Sequence, residues 1–229
     1  SIAFGIDLYL FCEEIMLEIL VSKVYMIATF IVALTFHEWA HAYAAYKLGD
    51  PTADNMGRMT LNPFAHIDII GLLCLALLGF GWAKPVPINP RNFKKPRRDD
   101  LIVSLAGITA NLILAIVFAP ISLICLKLAI ESMQSPILTA LYSFASYFVQ
   151  VNILLAVFNF IPVPPLDGFH VVEDLLIKKT GPGSFFWLRK YSNFILIGVL
   201  IILNITGVLS YVTGALYGLL TSVFMPLIF

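Results

Sequence analysis

Long apolar runs, rather than short alternations, dominate this chain. Residues 24–48 form the first run, about 37 Å long as a helix, enough to cross a bilayer core of about 30 Å. It stops at Gly49-Asp50-Pro51, a strong helix-ending signal. Similar runs at 101–128, 137–161, 186–206 and 208–229 predict four further spans. Residues 67–82 are apolar too, but the run is short and contains Asp68, Gly71, Gly79 and Gly81. That length falls below the roughly 17–25 residues of a normal span, so a re-entrant segment is predicted. Between these runs, 51–66 is polar and turn-rich, and Gly57 to Pro63 alternates as a short strand would. Residues 84–100 are rich in proline and basic residues, and 162–185 includes a short predicted helix near 169–179. Residues 1–22 mix apolar positions with Asp7, Glu13, Glu14 and Glu18, acids that are costly in hydrocarbon. An interfacial or peripheral helix is expected there. The pattern predicts an all-α polytopic membrane protein built as one domain over 1–229. It has about five to six transmembrane helices, a re-entrant segment and a short β-hairpin-like region.

Composition agrees that the natural solvent is a bilayer. Hydrophobic residues make up 60% of the chain and charged ones 12%, against about 25% charged in a soluble domain. Net charge is zero, which argues against nucleic acid held by phosphate contacts. Cys12, Cys74 and Cys125 sit singly in apolar stretches and read as small hydrophobes rather than disulfides or thiolate ligands. No removable signal peptide is expected at the start. With 67–82 re-entrant, twelve of the fourteen Lys and Arg residues fall on the side holding 49–100 and 162–190. Only Lys23 and Lys127 fall on the other. The positive-inside rule then predicts a multi-pass protein of the cell (inner, cytoplasmic) membrane, with 84–100 and 162–190 cytoplasmic.

The chemistry is concentrated in the first span, at His37-Glu38-Trp39-Ala40-His41. Two histidines four apart share one helix face, about 5–6 Å between their roots. Each can give a ring nitrogen to one Zn2+ ion, while Glu38 reaches the water rather than the metal. As ordinary membrane-helix polar groups the three would cost several kcal/mol without compensation. A metal supplies that compensation. A catalytic zinc needs a third protein ligand and an open position. Asp167 is the leading candidate, because Pro162, Pro164 and Pro165 keep it on irregular backbone where a span ends. The plainer alternative is that Asp167 caps the helix that follows.

These two motifs together resemble the site-2 protease family of intramembrane zinc metalloproteases. The family carries HEXXH on one membrane helix and an Asn-x-x-Pro-x-Pro-x-x-Asp-Gly type motif at the end of a later one. Here these are His37 to His41 and Asn159 to Gly168. The resemblance implies zinc ligands at His37, His41 and Asp167, and a general base at Glu38. It also implies that Asn159 lies beside the site as a catalytic or substrate-binding residue. A third family element, Ala-Gly-Pro-x-x-Asn, appears as Ala106 to Asn111 with Ile108 in place of proline, and implies a substrate contact at Asn111. The match covers roughly residues 24 to 210, includes Gly57 to Pro63 and Gly81 to Pro87, and has no PDZ-like insertion. The implied activity is hydrolysis of peptide bonds in or near transmembrane segments of membrane-anchored proteins or peptides, within the lipid bilayer.

Other polar residues have ordinary readings. His66 is expected to hydrogen-bond at an interface, and His170 to lie at the surface or behind the site. Glu173 and Asp174 are expected to pair with Lys178 and Lys179 along a helix, and Arg91 to Arg98 to contact anionic lipid. Trp82 and Trp187 suit the membrane interface. A transporter lined by His and Asp is the rival reading. It needs ligands but no base beside them, and Glu38 tells against it. A catalytically dead scaffold is disfavoured because every catalytic position is filled by the expected residue.

Overall fold

The computed structural model describes residues 2–133, 135–181 and 183–229, with side chains for all of these except 2–12, 14 and 177–180. Helix α1 runs over Ile2–Lys47 and a short α2 over Thr52–Asn55. Next come α3 (Ile69–Leu78), α4 (Pro96–Glu131) and α5 (Pro136–Asn159). The chain ends with α6 (Asp167–Thr180), α7 (Phe186–Lys190), α8 (Ser192–Thr206) and α9 (Val208–Ile228). Proline occupies the first turn of both α4 and α5. Its missing N–H costs nothing at that position and its fixed φ is already helical.

Among the described residues four helices are long and apolar enough to cross a membrane: Ile15–Lys47, α4, α5 and α9. The stretch 186–206, expected as a fifth, breaks at Tyr191 into five and fifteen residues. At 1.5 Å per residue α8 is about 22 Å long, short of the hydrocarbon thickness. Residues 2–22 do not form a separate peripheral helix; their backbone continues into the first span as one 46-residue helix. Helix signals on both sides of Lys23 outweigh the cost of the acids there. The side chains of Asp7, Cys12 and Glu14 lie outside the described ones, whereas Cys74 and Cys125 are free and half-buried.

Segment 67–83 enters and leaves on the same side. A single antiparallel bridge joins Ile67 to Ala83, and Lys84 N donates to His66 O at 2.9 Å. Asp68 caps α3 by accepting from Gly71 N at 2.8 Å, and Gly79 ends it in the left-handed conformation. A methyl on Gly71 would collide with the Trp82 backbone, so the two arms can lie together only with glycine there. That bridge is the whole of the β structure among the described residues. Gly57 to Pro63, expected to run as a strand, forms bends leading into a 3₁₀ turn at Pro63–Ala65.

Helices α1, α4 and α5 pack mutually and form the centre of the bundle. Ala33, Phe148, Val151 and Leu155 fill the seam, with Phe30, Leu114 and Phe118 against them. Phe118 and Phe148 meet edge-on, with centroids 4.5 Å apart. Helix α6 packs on α4, and α9 packs on α4 and α5.

Candidate metal centre

His37, His41 and Asp167 come together. The two imidazole Nε2 atoms are 3.0 Å apart, and each lies 3.3 Å from Asp167 Oδ2. Four residues along α1 put both rings on one face. Asp167 arrives from a different direction, as the first residue of α6. Close approach depends on two glycines. A methyl on Gly107 of α4 would lie 2.6 Å from His37 Cε1 and closer still to His41 Nε2. A methyl on Gly168 would collide with the carbonyl of Phe160, blocking the turn that delivers Asp167.

The hydrogen bonds fix where the ring hydrogens sit. His41 Nδ1 lies 2.8 Å from Val103 O; a carbonyl only accepts, so Nδ1 carries the hydrogen and Nε2 presents a lone pair. His37 Nδ1 lies 2.6 Å from the amide oxygen of Asn111, which makes the same demand. Asp167 Oδ2 is buried with no hydrogen-bond partner. With both imidazoles neutral, three lone pairs converge with no hydrogen among them, an arrangement that is repulsive unless a cation, a proton or a metal ion, sits at its middle. A tetrahedral zinc with bonds of about 2.0–2.1 Å would hold its ligand atoms about 3.3 Å apart. The donor set fits such an ion in both chemistry and spacing, and two histidines with one carboxylate leave a fourth position open. Among the described residues this is the one group suited to hold a metal.

Glu38 is buried and follows His37 on α1, and its Oε2 accepts from Val86 N at 2.8 Å. Val86 lies between Pro85 and Pro87, so its N–H is the single donor of that tripeptide. Arg58 holds the same strap through Nη2, at 2.7 Å from Lys84 O and 3.2 Å from Pro85 O. A cavity of about 450 Å³ is lined by His37, Glu38, His41 and Asp167, and extends past Asn159 to Asp100, His170 and Arg189. Water thus has a polar route to buried side chains. Asn159 shares that wall, its Nδ2 donating to Leu155 O at 3.0 Å.

Asn111 is placed elsewhere. It is fully buried behind His37, and its amide oxygen lies against the imidazole Nδ1. His66 is buried with Nε2 on Thr60 O at 2.8 Å, apart from the three-donor group. His170 stands at the cavity mouth, 3.9 Å from Asp100. Glu173 pairs with Arg189 of α7; the side chains of Lys178 and Lys179, its expected partners along α6, lie outside the described ones. Trp82 and Trp187 are exposed. Val86, Arg58, Val103 and Asn152 were not predicted from sequence. The first three act through the backbone or on it, which leaves no motif. Asn152 did leave a signal, an amide within an apolar helix and seven before Asn159.

The sequence profile of peptidase family M50 matches residues 122–203. A relative from Bacillus subtilis (strain 168), named "Putative zinc metalloprotease YwhC", is 39% identical over 212 residues, covering 89% of this chain and 94% of the relative. The chain belongs to peptidase family M50, the site-2 proteases. Two further relatives are named "Putative zinc metalloprotease Rip2". One, from Mycolicibacterium smegmatis (strain ATCC 700084 / mc(2)155), is 29% identical over 160 residues, 68% of this chain and 58% of the relative. The other, from Mycobacterium tuberculosis (strain ATCC 25618 / H37Rv), is 31% identical over 162 residues, 69% and 59% respectively. The chain spans less than two thirds of these Rip2 proteins. No solved structure matches significantly. This M50 member is a metalloprotease by family and by its donor set.

Proposed function

We propose that this chain hydrolyses peptide bonds in or near the transmembrane segments of membrane-anchored proteins, with His37, His41 and Asp167 holding Zn2+. The observation that carries the reading is the convergence of three lone pairs beside buried Glu38, against a bundle of helices able to span a membrane. The names of the relatives YwhC and Rip2 support zinc as the metal. Bound there, zinc would supply Lewis acidity to the scissile carbonyl and to the attacking water.

Glu38 is the general base. The Val86 N–H holds one carboxylate oxygen at 2.8 Å, leaving the other to take a proton from water and return it to the departing amine. Asn159, on the cavity wall, is suited to hydrogen-bond the substrate backbone or the water. The cavity opens beside Asp100, His170 and Arg189, so water enters from the side that carries 84–100 and 162–190. By charge placement that side is the cytoplasm. A substrate helix hides its peptide bonds in its own hydrogen bonds and must unwind before it can lie against Glu38.

Cleavage of a single-span substrate in liposomes tests this, alongside zinc content. Glu38→Gln is expected to keep its zinc and lose about 10²–10⁴-fold in rate, and Asp167→Ala to lose zinc. Undiminished cleavage by Glu38→Gln would exclude the mechanism. Full zinc occupancy in Asp167→Ala would remove Asp167 from the ligand set.

A further inference from the structure

The donor set works only if His37 puts its hydrogen on Nδ1 and leaves Nε2 bare. Its Nδ1 partner is Asn111, a primary amide, which could present oxygen or NH₂ to the ring with little change of shape. Presenting NH₂ would force His37 Nδ1 to accept and move the ring hydrogen to Nε2, the atom that must bind metal. Something has to fix which way Asn111 points.

We infer that Asn152 of α5 is a positioning residue that sets the tautomer of His37 through Asn111. This rests on the metal-centre reading above. Asn152 is fully buried. Its Nδ2 lies 2.8 Å from Phe148 O, a carbonyl that can only accept. Turning the Asn152 amide over would set two acceptors against each other, so its Oδ1 faces outward and accepts from Asn111 Nδ2 at 2.8 Å. The carbonyl of Ala33 in α1 accepts from the same nitrogen at 3.3 Å. Asn111 is thereby left with its oxygen toward His37, at 2.6 Å from Nδ1. One direction of hydrogen bonding runs from His37 through Asn111 and Asn152 to the Phe148 carbonyl. It crosses three helices and has an unpaired acceptor or donor in every other arrangement. In a buried setting an unpaired amide costs about 1–3 kcal/mol, so the arrangement is strongly selected.

Two side chains, His37 and Asn111, stand between Asn152 and the metal position, which separates this role from ligation. Partners of metal-bound histidines typically change metal affinity by about 10–100-fold when lost. The test measures zinc affinity of the full-length chain in detergent by competition with a chromophoric chelator, with wild type, Asn152→Leu and Asn152→Asp compared. Leucine fills similar space but offers no acceptor, and is expected to weaken zinc by about 10–100-fold and to alter the visible spectrum of the cobalt-substituted protein. Aspartate, protonated as burial favours, donates to Phe148 O and accepts from Asn111 Nδ2, and is expected to stay close to wild type. Equal affinity in the leucine variant, with only thermal stability lowered, overturns the inference. So does equal weakening by leucine and aspartate. If wild type itself binds no zinc, the metal-centre reading fails and takes this inference with it. Should the leucine variant not fold, nitrogen NMR of histidine-labelled, zinc-loaded wild type decides. Coordination of His37 through Nε2 with hydrogen on Nδ1 is expected; coordination through Nδ1 overturns the inference.

Discussion

The bundle of α1, α4 and α5 and the hairpin of α8 and α9 are made of similarly apolar sequence, yet they are opposites in packing. In α5, half of the membrane-crossing window is buried within the protein; in α9 the share is 11%. Neither α8 nor α9 has a single buried residue, although Tyr217, Leu220 and Phe224 of α9 do rest on the bundle. The first region holds buried polar side chains: Thr29, Thr35, His37, Glu38 and His41 on α1, Asp99, Ser104, Asn111 and Ser122 on α4, Ser146 and Asn152 on α5; Asp50, His66 and Glu173 are buried outside both regions. Lipid satisfies an apolar surface without any protein partner, so the hairpin needs no close packing. A polar group in hydrocarbon has no such option. The close packing of the bundle is therefore where polar chemistry can be kept.

The sharpest test of this contrast is a pair of methyl groups. Gly107→Ala should abolish zinc binding, with affinity falling at least about 100-fold, because the methyl would occupy the space of the two imidazoles. Gly218→Ala, with nothing within 4 Å of the added carbon, should leave zinc content and cleavage unchanged. Zinc content by mass spectrometry settles both.

Next in size is the loss of an aromatic ring. Phe148 is 2% exposed and Phe194 is 75% exposed. Phe148→Ala should destabilise the detergent-solubilised protein by about 2 kcal/mol from the cavity left behind, whereas acyl chains fill the space left by Phe194→Ala. Equal melting temperatures for the two variants would erase the distinction between the regions.

Even the loose region has one conformational requirement. Gly207 joins α8 to α9 at φ 64°, a left-handed conformation that costs a side chain about 1 kcal/mol. Gly207→Ala should lower the melting temperature slightly and spare zinc affinity.

The smallest effect is electrostatic, at the cavity mouth. Burial, together with the neighbouring Asp100 carboxylate, pushes Asp174 up to about 7. An acid held protonated in the folded state contributes stability that is complete below the ordinary aspartate range and lost as pH rises through about 7. Wild type should thus melt progressively lower from pH 5 to pH 8, and Asp174→Asn should flatten that slope. A slope unchanged by the substitution would place its origin elsewhere. Asp50 behaves oppositely. Burial pushes its carboxyl up, but hydrogen bonds from Thr52, Asn89 and Asn92 outweigh that and hold it below its usual range.

How much was legible in the residues alone follows the range of each interaction. Spans show in sequence because every residue of a helix reports on the same solvent. Thus 24–48, 101–128 and 137–161 were readable, and so were His37, Glu38 and His41, whose spacing is local to one helix turn. Asp167 was readable as a candidate because three prolines mark its backbone. Local patterns misled where continuation or tertiary pairing decided the outcome. Residues 2–22 ran on into α1, 186–206 broke at Tyr191, and Gly57 to Pro63 found no strand to pair with. Only the folded bundle could show that Asp167 meets both histidines, that Val86 N–H holds Glu38, and that Asn111 turns to His37 with Asn152 behind it. Those contacts join residues 41 to 130 positions apart, and the direction of a hydrogen bond between two amides is decided by the next acceptor in space, not by the next residue in the chain.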